Sequence, residues 1–160
     1  TSWRAWDGSS FSLQMTDPYT APPAAICQRT FSPLPHESLT FNTYLGKFML
    51  VGFSHGYKKG VPTQCGFYYS LSSDVVNWSP AQLIAPASIP APLQCSAQAT
   101  SRAGDLAYAT FVDHDDPSIN FETPGRTPYL YYTRWLDSSS ENRQLVRVPV
   151  IITQFPSDER

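Results

Sequence analysis

Apolar and polar positions alternate in short runs along most of this chain, without the three-to-four spacing of an amphipathic helix. TSWRAWDGSSFSLQM, at the start, reads as two short strands joined at Asp7-Gly8, the second running through Phe11, Leu13 and Met15. SLTFNTYLGKFMLVGF gives a strand, a turn around Asn42 to Gly46, and a strong strand from Lys47 to Phe53. SHGYKKGVPTQC follows as a polar connector. GFYYSLSSDVVNWSPAQLI then reads as a hairpin: an aromatic strand, a corner at Ser72-Ser73-Asp74, Trp78, and a return through Gln82 to Ile84. Pro80 and Pro86 argue against a helix there. A Pro/Ala/Ser loop runs from Ala85 to Gly104. Beyond it, LAYATFVD, PYLYYTRW and RQLVRVPVIIT read as strands, separated by the long turn HDDPSINFETPGRT and the connector LDSSSEN.

The same order of strand, turn, strand, loop and strand thus occurs twice. Repetition of four-stranded units is the mark of a β-propeller. The expectation is an all-β fold, part of a β-propeller with antiparallel four-stranded blades. Residues 1–15 would end one blade, 36–84 would form a complete blade, and 106–152 a last blade lacking its fourth strand, with a tail at 153–160. Such a portion cannot close a ring alone, and its open edge strands need cover. A second polypeptide or a second copy is therefore expected to complete it.

Composition narrows the field. The 160 residues suffice for one domain with a core, and 41% hydrophobic with only 15% charged residues excludes intrinsic disorder. Fifteen prolines against eight glycines leave little room for helix. A net charge of −2 gives no footprint for nucleic acid, and no apolar run reaches the ~20 residues that span a bilayer. Cys27, Cys65 and Cys95 lack the spacing of a zinc site, so no metal or cofactor is expected. In an oxidising compartment Cys65 would bond to Cys27 or Cys95, a gain of about 3 kcal/mol. DHDDP at 113–117 lacks the glycine and glutamate spacing of a calcium loop.

SLTFNTYLGKFMLVG, GFYYSLSSDVVNWS and NFETPGRTPYLYYTR with LVRVPV resemble the glycosidase-like five-bladed propellers of the arabinanase and β-xylosidase kind (glycoside hydrolase family 43). The resemblance covers most of positions 36 to 152. It implies a secreted or extracytoplasmic, carbohydrate-active protein, glycoside hydrolase-like, whose sugar chemistry lies on one face of the blades. Blade geometry puts His36, Glu37, His55, Tyr57, Lys58, Lys59, Tyr108, Arg134, Trp135, Asp137 and Glu141 on that face. It puts Asn42, Asp74, Trp78 and Asp113 at turns on the other, where they brace corners. Glycoside cleavage needs two carboxyl groups, and Glu37 is the candidate acid. The second carboxylate set would lie on blades outside this sequence. His36, His55, Tyr57, Arg134 and Trp135 are the candidate substrate-binding residues. The alternative is a non-catalytic propeller that binds glycan or protein.

Overall fold

A computed structural model describes residues 4–15, 19, 38–58, 61–84, 103–117, 123–139 and 141–154, with the backbone alone for 55–58 and 61–64. Nine strands and no helix occur among them: β1 Arg4–Trp6, β2 Phe11–Gln14, β3 Ser38–Asn42, β4 Lys47–Lys58, β5 Val61–Ser72, β6 Gln82–Leu83, β7 Leu106–Val112, β8 Tyr129–Trp135 and β9 Arg143–Pro149. All strand pairs are antiparallel. The chain divides into two compact units, Thr1–Phe31 and Ser32–Arg160.

The first unit holds the β1–β2 hairpin, in which Trp6 and Phe11 meet edge to face at 5.2 Å. Its corner is built on Asp7, whose carboxylate accepts the amides of Ser9 and Ser10, both at 2.7 Å. The hydroxyls of Ser9, Ser10 and Ser12 also donate to it. These bonds, Ser12's first, hold the carboxyl well below the usual range.

The second unit contains a four-stranded sheet, β3-β4-β5-β6, and a three-stranded sheet, β7-β8-β9. Strand alternation buries Met49, Val51 and Phe67 from the first against Leu106, Ala109, Phe111, Leu130 and Tyr132 from the second. Phe67 lies between Phe53, at 5.9 Å, and Tyr132, at 5.1 Å between ring centroids. A Cβ at Gly66 would come within 2.8 Å of the Leu83 Cδ1 on β6, so a side chain here would have to push that methyl aside.

Polar bonds join the two sheets. The hydroxyls of Ser38 on β3 and Thr110 on β7 meet at 2.8 Å. At one end of the stack Asn42 donates through Nδ2 to the Gly125 carbonyl at 2.8 Å, and the Thr43 amide donates to the Pro124 carbonyl at 3.0 Å. The 123–125 segment is held in turn by aspartates, since Gly125 N donates to Asp113 at 2.7 Å and Thr123 N to Asp116 at 3.0 Å. The tip of the β4–β5 hairpin and the β8–β9 turn therefore share the opposite end.

Residues 54–65 differ from the polar connector expected of them. They continue β4 to Lys58 and open β5 at Val61, with His55 opposite Cys65 and Lys58 opposite Val61. Tyr57, Val61 and Thr63 favour extended backbone, and a two-stranded ribbon projecting from its sheet tolerates polar side chains on both faces. Pro62 sits beside the register shift at Gly56/Tyr57, where a missing donor costs least.

Tyr132 carries a polar atom into this core. It is fully buried, and its hydroxyl has no hydrogen-bond partner among the described residues. Burial pushes the phenol above its usual range, with the Arg134 charge opposing. Tyr132→Phe removes that buried hydroxyl while keeping the ring, and should stabilise the protein by about 1 kcal/mol. A drop in the denaturation midpoint would show instead that the hydroxyl is bonded.

Candidate functional site

All four expected corner residues make direct bonds at their turns. Asp74 accepts the amides of Val76 and Asn77 at 2.9 and 2.7 Å, the Asn77 side-chain amide at 2.7 Å and the Ser72 hydroxyl at 3.0 Å. The Asn77 bonds lead in holding its carboxyl well below the usual range. They also sustain Val75 at a φ of 58°, a costly conformation for a β-branched residue. Half-buried Trp78 donates through Nε1 to the Val75 carbonyl at 3.2 Å. Asp113 and Asn42 are committed to the inter-sheet ties already described.

The other end of the stack carries the expected site residues, as far as they are described. Glu37 and His36 lie outside the described residues, as does Lys59. His55 and Tyr57 stand on the projecting β4–β5 ribbon, opposite Cys65 and Pro62. Cys65 itself is buried and disulfide-bonded. Arg134 and Trp135 end β8, with Arg134 opposite Leu106 and Gln144, and Trp135 opposite Arg143.

Trp135 is only 4% exposed, so it offers a ligand little of its ring. The exposed aromatic surface here belongs to Tyr108, at 60% exposure, whose ring centroid lies 5.9 Å from that of Trp135. Arg143 covers Trp135 from the neighbouring strand, its guanidinium carbon 5.9 Å from the ring centroid. The β8–β9 turn below them is closed on itself: Asp137 accepts the Ser139 amide at 2.7 Å and the Asn142 side-chain amide.

Tyr108 owes its exposure to a β-bulge. Ala107 pairs with Thr133 and Thr110 with Tyr131, so Tyr108 and Ala109 together face Tyr132 alone. Ala109 enters the core while Tyr108 turns outward, at a φ of 58°. Alternation along LAYATFVD marks a strand but carries no sign of the extra residue, so the sequence put Tyr108 on this face without showing the bulge that exposes it.

The outer face of β8 and β9 continues this chemistry. His114 stacks on Tyr129 at 4.7 Å and meets the Tyr131 hydroxyl at 2.9 Å, and Arg147 lies 5.0 Å over Tyr129. A hydrogen bond with Tyr131 raises the Arg147 guanidinium above its usual range. Among the described residues no cluster of three or more His, Cys, Asp or Glu side chains is placed to hold a metal ion. No protein-family model matches the chain, and searches of the curated proteins and of the solved structures return no match.

Proposed function

We propose that this chain is part of a carbohydrate-active, glycosidase-like β-propeller and forms one wall of its sugar site. The observation that carries the reading is an exposed tyrosine, Tyr108, set on Trp135 by a strained bulge at the end of the stack that also bears the β4–β5 ribbon. Aromatic faces bury the apolar side of a sugar ring, and flanking polar groups orient its hydroxyls. Strained residues gather at ligand sites because the fold must hold them against about 1–3 kcal/mol each.

Glu37 is the proton donor in this reading, with the remaining carboxylates supplied by a second polypeptide or a second copy that completes the ring. The Cys65 disulfide favours a secreted or extracytoplasmic location. The test uses the complete assembly, with hydrolysis and binding of oligosaccharides measured separately for the native protein and Glu37→Gln. The expected result is a loss of hydrolysis of about 10²–10⁴-fold with binding retained. Binding without hydrolysis in the native protein would select the non-catalytic form of the proposal. Neither binding nor hydrolysis with any sugar would reject both.

A further inference from the structure

Tyr108, Trp135 and Arg143 come one from each strand of the three-stranded sheet, and meet on one face at its site end. From this geometry we infer a subsite for a uronic acid, a sugar whose ring carries a carboxylate. The inference rests on the carbohydrate reading above and adds the class of sugar.

The three side chains divide the work. Tyr108 presents the only large exposed ring against Trp135 among the described residues, and so takes the apolar face of the pyranose. Trp135 is buried and serves as backing for both neighbours. Arg143 is exposed, has its guanidinium carbon 5.9 Å from the Trp135 ring centroid, and forms no ion pair with a carboxylate among the described residues. A guanidinium held on an aromatic face keeps its donors pointing outward along its edge, where they match a carboxylate two bonds at a time. The Asp137 carboxylate in the β8–β9 turn accepts from Ser139 and Asn142 and forms no ion pair with Arg143 among the described residues. A neutral sugar would leave the guanidinium unused. A uronate engages it while its ring rests on Tyr108.

The bulge supports a ligand role for Tyr108 rather than a packing one. At a φ of 58° glycine is the comfortable residue, yet a tyrosine occupies the position with most of its side chain in solvent. Tyr108→Gly should therefore raise Tm by about 2–4 °C while removing the stacking surface.

Calorimetric titration with tetragalacturonate and tetraglucuronate, each beside its methyl ester, tests the assignment, because the ester keeps the ring and removes the charge. At least one free acid should bind about tenfold or more tightly than its ester. Arg143→Gln should abolish that preference, and Tyr108→Gly should weaken acid and ester alike while raising Tm. Equal binding of acid and ester, or a preference that survives Arg143→Gln, overturns the uronate subsite. Binding of neutral oligosaccharides in that case leaves the broader sugar reading standing. No binding of any sugar, charged or neutral, overturns both.

Discussion

Replacing Phe67 with alanine should lower the unfolding free energy by about 3–5 kcal/mol. Its ring is 1% exposed and fills the space between the two sheets, against Phe53 on its own sheet and Tyr132 on the other. Removing it loses the transfer free energy of the ring and leaves a cavity that two hydrogen-bonded sheets cannot easily close. Since a domain of this size has only about 5–15 kcal/mol in hand, the variant should sit near the edge of folding at room temperature. Urea denaturation followed by tryptophan fluorescence measures the loss. Leu145→Ala, at a residue 72% exposed, provides the comparison and should change stability by less than about 0.5 kcal/mol. Equal effects from the two variants would mean that the sheets do not pack through Phe67.

Breaking the Cys65 disulfide should cost nearly as much. Its partner is Cys27 or Cys95, giving a closed loop of 65 − 27 = 38 or 95 − 65 = 30 residue steps. Either length corresponds to about 3–4 kcal/mol of chain entropy removed from the unfolded state. Cys65→Ser and mild reduction should lower the denaturation midpoint alike. Of Cys27→Ser and Cys95→Ser, one should match them and the other should leave the midpoint unchanged. Thiol titration in denaturant should find one free sulfhydryl before reduction and three after it. Three at the outset would show that no bridge forms.

The strands were legible because their side chains alternate. In TFV and YLYYT each buried residue is flanked by half-buried ones. The aspartate corners were legible too, since a short carboxylate beside serines has its own backbone amides as nearest donors. Two features were not. The 54–65 stretch that extends β4 and β5, SHGYKKGVPTQC, has no apolar alternation in its sequence to separate it from a loop, and its pairing appears only in the register with the partner strand. The bulge at Tyr108 depends on a count of residues across two strands, which one strand's sequence does not hold. That is why Trp135 stood out as a binding aromatic in the sequence, while the structure buries it and exposes its neighbour.

The long ribbon also orders the assembly of the fold in time. Its paired residues are separated by as little as 61 − 58 = 3 positions and by no more than 72 − 48 = 24. The Ser38–Thr110 and Asn42–Gly125 contacts between the sheets span 72 and 83. Closing the longest of these costs about 1 kcal/mol more chain entropy than closing the whole ribbon, with far fewer bonds in return. The ribbon can therefore zip from its tip on the microsecond scale of a hairpin. Its completed strand then presents Phe67 as the surface on which the three-stranded sheet condenses.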